Sequence, residues 1–238
     1  MIYVYAIIDR PEADLPDLVG LQDAPLARLP CQEIAAVSSF FTTQGKSTEI
    51  EQSGSNVWRH EAVLEALMES HSVLPVRFGE IFSTENAVTT MLLTHQSEYV
   101  ANLQRVQGRV ELSLRVIWTA DVDVAPFQET IVVEAGVKKA MSGYEYMQSR
   151  RKVENGVEAL RRRAEAMALA LQIAMAGMAV ESSHQVVLTS PLCLKAAYLI
   201  AQRDVHAFRE KIENQVRIFP EVRFILTGPW PAYNFVTV

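Results

Sequence analysis

Residues 109–118, RVELSLRVIW, carry the clearest periodicity in this 238-residue chain. Val110, Leu112, Leu114, Val116 and Trp118 alternate with Arg109, Glu111, Ser113 and Arg115. Period-two alternation predicts a strand with one covered face. The elements after it decide the architecture. From Gly143 onward, Val153, Val157, Leu160, Ala164, Met167, Leu171, Ala174 and Met178 step by four and three, a heptad-like pattern that predicts one long helix. At about 1.5 Å per residue it would exceed about 45 Å. Strands are expected over 185–190 and 194–201, with a turn at Pro191. Asp204 then caps a helix bearing Val205, Phe208, Ile212 and Val216, and Val222, Phe224 and Leu226 mark a last strand. Strand, helix, strand, strand, helix, strand is the ferredoxin-like order. Residues 119–141 would be an insertion after its first strand. There Pro126 could open a short helix, whereas Thr130-Ile131-Val132-Val133 favours a strand.

Upstream lies a second α+β region. Residues 2–8 are apolar on both alternating faces, the pattern of a strand buried on two sides. Four prolines and Gly20 make 9–32 a turn-rich connection, and a strand resumes over 33–41. The polar run 42–55 reads as a mobile loop. Val57, Glu61, Leu64, Leu67 and Met68, with Val63, repeat at helical spacing to about Ser70. Pro75 stops the helix and pushes Leu74 into extended backbone, so 74–78 is expected as a short strand. Ser83 or Thr84 can cap a further helix with Val88, Leu92, His95, Tyr99, Leu103 and Val106 on one face, ending at Gly108. The expected fold is α+β in two domains. Residues 1–107 form an N-terminal mixed α+β domain containing LPVRFG. Residues 108–238 form a modified ferredoxin-like domain with a long helix, the insertion 119–141 and an aromatic tail.

Composition narrows the function. Hydrophobic residues are 49% and charged residues 21%, enough to build a core. The net charge of -6 and a pI near 5.5 argue against a nucleic-acid partner, which would call for a basic field. Cys31 and Cys193 stand far apart, outside any metal-ligand spacing, and suit buried thiols in a reducing cytoplasm. The start MIYVYAIIDR has no basic leader region and reads as a strand rather than a signal peptide. The run AMALALQIAMAGMAV is apolar nearly all round but too short to span a lipid membrane. A helix apolar on every side is usually buried in its own protein. The alternative is a partner surface, which Met, Ala and Gly suit by close, adaptable contact.

The chain has no Gly-rich phosphate loop, HExxH, GxSxG or CxxC, so no cofactor and no catalytic set is expected. His60 and His95 fall on expected apolar helix faces, where a half-buried histidine with one hydrogen bond is the ordinary reading. Arg161-Arg162-Arg163 reads as a solvated face flanked by Glu158 and Glu165. Arg77 would point away from its apolar neighbours Val76 and Phe78, either solvated or held in a buried ion pair or recognition contact. The tail from Gly228 holds Trp230, Tyr233 and Phe235 on a backbone stiffened by Pro229 and Pro231. It is expected to fold back near the 60–82 region.

The stretches HEAVLEALMESHSVLPVRFGEIF, SGYEYMQSRRKVE and LTGPWPAYNFV, in that order, resemble the gas vesicle protein F/L family over essentially the whole chain. Glu80 stands where the family often has a small polar residue, and Ala232 where it often has a second proline, which leaves the tail less rigid. The resemblance implies a non-catalytic accessory or minor structural protein of gas vesicles, the buoyancy organelles of aquatic microbes. It would work in the cytoplasm, with the hydrophobic gas vesicle shell protein and other accessory proteins as partners in nucleation or assembly. His60, Arg77, Phe78, Trp230, Tyr233 and Phe235 are then the candidate structural or partner-binding residues. The alternative is a small-molecule-binding or enzymatic ferredoxin-like domain using Arg77 and His60.

Overall fold

The computed structural model describes residues 1–41, 53–119, 143–189 and 191–236. The expected insertion, apart from Thr119, and most of the expected loop 42–55 lie outside them. The chain divides into two compact units, Met1–Glu111 with Trp230–Val238, and Leu112–Pro229. The tail therefore belongs with the first unit, although its sequence position suggests the second.

In the first unit β1 (Ile2–Asp9) is the central strand, antiparallel to β3 (Ile34–Phe40) on one side and to β4 (Val73–Pro75) and β5 (Ile81–Phe82) on the other. From Ile2 to Ile8 no residue is more than 3% exposed, as two-sided apolarity predicts. The edge is β2 (Ala27–Cys31), paired with β3. It lies inside the stretch expected to be only connection. Pro30 hides it from pattern reading, but an edge strand has one unpaired side and tolerates a residue without an N–H.

Helix α1 (Gly54–Met68) starts at Ser53, whose hydroxyl accepts from the Asn56 N–H at 3.4 Å. Its buried residues His60, Val63, Leu64 and Leu67 lie on one side of the helix. The last three pack with Tyr3, Tyr5, Ala6 and Ile8 of β1. The expected single helix over 84–107 is two, α2 (Glu85–Thr94) and α3 (Gln96–Val106). They break at His95, which has φ -109° and ψ 13°. The break leaves Val88, Leu92, Tyr99, Leu103 and Val106 buried but turns His95 out to solvent, beside Glu98 at 3.5 Å.

The second sheet has the order β7-β8-β6-β9, from β6 (Arg109–Trp118), β7 (Ala179–Thr189), β8 (Leu192–Ala201) and β9 (Val222–Trp230). In order of sequence that is second, third, first, fourth, the ferredoxin-like sheet. Helices α4 (Gly143–Met175) and α5 (Val205–Val216) complete the order. In α4, Leu160, Ala164, Met167, Leu171 and Met175 are buried, yet Leu169 and Ile173 are 58% and 68% exposed. The apolar second half is therefore not enclosed on every side: one face is core and the other meets solvent. The Arg161 and Arg162 side chains reach Glu158 on the outer surface, while Arg163 lies over the Trp118 ring and 3.5 Å from Glu221. Among the described residues no helix is long and apolar enough to cross a membrane.

Candidate functional site

The LPVRFG motif is a strand interrupted by a protruding turn. On its first side the Val76 N–H donates to the Tyr5 carbonyl at 2.9 Å. On its return the Val4 N–H donates to the Glu80 carbonyl at 3.2 Å. Residues 77–79 bulge out between these two bonds. The Glu80 N–H closes the turn on the Arg77 carbonyl at 3.3 Å, with Gly79 at φ +94°. That conformation falls at the third position of a type II turn, where a side chain would be strained. Strand pairing thus stops at Pro75 rather than running on to Phe78.

The turn puts Phe78 and Arg77 to different uses. Phe78 is half-buried and sets its ring edge-on to His60 and Tyr3, at centroid distances of 5.6 and 6.1 Å. Arg77 is exposed and has no acidic or carbonyl partner for its guanidinium among the described residues. Of the readings the sequence left open, the buried ion pair is not found among the described residues, because Arg77 sits at the tip of a turn and not inside a sheet.

His60 lies beneath this turn, 1% exposed. The Tyr3 hydroxyl accepts from the Gly79 N–H at 3.2 Å and shares a hydrogen bond of 2.8 Å with His60 Nδ1. His60 Nε2 is buried and has no partner in hydrogen-bonding geometry among the described residues. Burial holds the His60 pKa down at about 4, and the Val76 backbone only partly offsets this. Burial likewise pushes the Tyr3 phenol up. Beside them the Tyr5 hydroxyl donates to Ser39 Oγ at 3.1 Å and accepts from the Leu21 N–H at 2.8 Å. A Cβ on Gly20 would stand 2.1 Å from that hydroxyl, so only glycine fits there. The histidine is a neutral core residue that braces the turn, and as a small-molecule anchor it has no access to solvent.

The tail packs against the same unit. Ala232 and Phe235 are buried, Trp230 is partly buried, and Tyr233 is 39% exposed. The Tyr233 hydroxyl donates to Glu61 Oε1 of α1 at 2.9 Å. Burial raises the Glu61 pKa, the Tyr233 bond lowers it, and Glu65 raises it again. The Asn234 N–H and side-chain amide both donate to Glu111, at 2.8 and 2.5 Å. Glu111 is only 2% exposed, a buried carboxylate that its alternating strand position would have left to solvent. The structure thus joins His60, Phe78, Tyr3 and the base of the turn in one cluster. Tyr233 meets that helix one residue beyond His60, and Arg77 stands outside.

Sequence reasoning passed over one residue. Trp58 is 74% exposed on α1. It lies opposite the buried stripe of His60, Val63, Leu64 and Leu67, in line with Glu65 and Glu69. A tryptophan on the polar side of an amphipathic helix is legible from helical spacing alone.

The architecture is α+β, and its polar centre braces a turn and holds the tail. The chain matches the family model described as gas vesicle synthesis protein GvpL/GvpF over residues 1–237, and it belongs to that family. It is 23% identical to gas vesicle protein F1 of Halobacterium salinarum, over 100% of this chain and 93% of that protein. It is 27% identical to gas vesicle protein L of a Streptomyces species, over 75% of this chain and 68% of the other. The crystal structure of GvpF from Microcystis aeruginosa superposes with a TM-score of 0.76 at 21% identity, covering 100% of this chain and 99% of that one. GvpF from Anabaena gives 0.75 at 20%, covering 100% and 96%. The α+β fold and a gas vesicle role follow.

Proposed function

We propose that this protein binds the hydrophobic shell protein of gas vesicles and assists nucleation or assembly of the vesicle, without catalysis. The observation that carries the reading is the braced turn. Its inner side is tied to His60 and Tyr3, and its outer side presents Arg77, exposed and with no partner for its donors among the described residues. A preformed turn loses little freedom on binding. Trp58, exposed on α1, adds an aromatic anchor in the same unit. Trp and Arg are the residue types that most often dominate interface energetics. The tail, with Trp230, Tyr233 and Phe235, serves in this reading as structure more than as a free arm, because its polar atoms are already engaged by Glu61 and Glu111.

The test is binding of the purified protein to the purified shell subunit. Trp58→Ala and Arg77→Ala should each weaken binding about tenfold, equivalent to about 1.4 kcal/mol, and leave the melting temperature in place. Wild-type affinity in both variants, or no binding by the wild type, would refute the proposal.

A further inference from the structure

Among the described residues the second sheet ends on an edge without the usual guards. Strand β7 is 11 residues long, about 36 Å at roughly 3.3 Å per residue, and among the described residues only β8 pairs with it. Natural edge strands are usually blunted by proline, lysine, short length or inward-pointing charge, because their free N–H and C=O groups template pairing with another chain. The sequence of β7, AVESSHQVVLT, has no proline, no lysine and one carboxylate, Glu181. The opposite edge differs. Strand β9 carries Arg223 and Pro229, and the Gly228 carbonyl already accepts from Arg209. Along β7, Val180 is 51% exposed, and Ser182, Ser183 and Gln185 are exposed as well.

We propose that β7 pairs antiparallel with β7 of a second copy of this chain, about a two-fold axis at Ser183. The residues around Ser183 are complementary to their own reverse. On one face Glu181 comes opposite Gln185 of the second copy, twice over, so that a carboxylate meets an amide donor. On the other face Ser182 comes opposite His184, a hydroxyl against an imidazole. Ser183 meets Ser183. No like charges stand opposite each other, the arrangement that would oppose pairing. His184 is held in place by its contact with the Tyr198 hydroxyl at 3.0 Å, and Tyr198 faces Ser182 across the β7–β8 ladder. The register shift between Ala179 and Glu181 lies beyond this central segment and leaves its alternation intact. A two-fold contact of this kind closes on itself, giving a dimer and not a fibre.

Cross-linking and sedimentation test this with the full chain. Residues directly opposite in an antiparallel pair have Cα atoms about 4.5–5.5 Å apart, inside the disulfide range. Mild oxidation of Ser183→Cys should therefore give a covalent dimer, while Arg223→Cys on β9 should not. The native thiols Cys31 and Cys193 are buried and serve as a silent background. Wild-type protein should show a monomer–dimer equilibrium by sedimentation. Ser183→Lys, which sets two like charges on the axis, should be monomeric at every concentration and keep the melting temperature of the dilute, monomeric wild type. Monomeric wild-type protein at every concentration, a dimer that survives Ser183→Lys, or cross-linking of the β9 variant as efficient as that of Ser183→Cys would each overturn the proposal.

Discussion

The two units build their cores from different materials. The first buries hydroxyls, an imidazole and a carboxylate among its aliphatic residues: Tyr3, Tyr5, Ser38, Ser39, His60 and Glu111 are each 2% exposed or less. The second is filled mainly by Leu112, Leu114, Val116, Ala164, Leu171, Leu194, Ile200 and Phe208, with Tyr198 as its large polar-tipped ring. A buried polar group must keep its partners or cost free energy, so the first core specifies its neighbours one by one. An apolar core specifies volume. The first unit should therefore respond more strongly to pH and to single-atom changes, and the second to changes of size.

The largest expected effect is in the second unit. Phe208 is fully buried with its ring 5.0 Å from Tyr198. Phe208→Ala should cost about 3–5 kcal/mol through the cavity it leaves, measured by chemical denaturation, with hydrogen exchange fastest in α5 and β8. A cost below about 1 kcal/mol would mean that this core collapses around the gap.

The pH response should come next. His60 is neutral in the fold with its pKa held to about 4, against 6.5 ordinarily. Above pH 6.5 neither the folded nor the unfolded chain protonates this residue, and its linkage contribution is nil. As pH falls from 6.5 towards 4, the unfolded chain takes up the proton first, so stability drops. The loss is about 3 kcal/mol at 1.36 kcal/mol per pH unit of pKa difference. His71 and His184, also lowered by burial, add in the same direction. Denaturation midpoints measured between pH 7 and 5 should fall, and His60→Gln should flatten that slope. An unflattened slope would assign the response to the other two histidines.

The tail gives a mid-sized test. Removing residues 231–238 uncovers the surface under Phe235 and leaves Glu111 without the Asn234 bonds. The expected destabilisation is about 1.5–3 kcal/mol from the lost ring burial alone. A truncated protein that melts like the whole chain would show the tail to be a passive extension.

The smallest effect should be at Arg77. An exposed side chain with no partner among the described residues contributes little, so Arg77→Ala should change stability by no more than about 0.5 kcal/mol. A buried pair, as one sequence reading allows, would cost about 3–5 kcal/mol. A thermal melt separates the two.

Periodic elements were legible in advance: β1 from its two-sided apolarity, β6 from its alternation, α4 from its heptads, and the βαββαβ order from their succession. The turn at Arg77 was not, because Val76-Arg77-Phe78 has strand-like residues and only the positive φ at Gly79 breaks the pairing. The tail could be marked as unusual for its aromatics, but its partner Glu111 sits at a polar alternation position and gives no sign of burial. His60 could be placed on the buried face of α1. Its hydrogen bond to Tyr3, 57 positions away in sequence, could not.

Local periodicity, proline positions and residue type alone determined most of the elements and the ferredoxin-like order, and three ordered motifs carried the resemblance to the family. Those signals are short-range, and the chain states them wherever it is read. Only the tertiary structure decided which strands lie at an edge, which face of α4 stays in water, that Arg77 points outward, and that the last residues return to α1 and Glu111. Each of these depends on what distant segments bring to the same point, and a polar group's cost or worth is set there by whether a partner arrives.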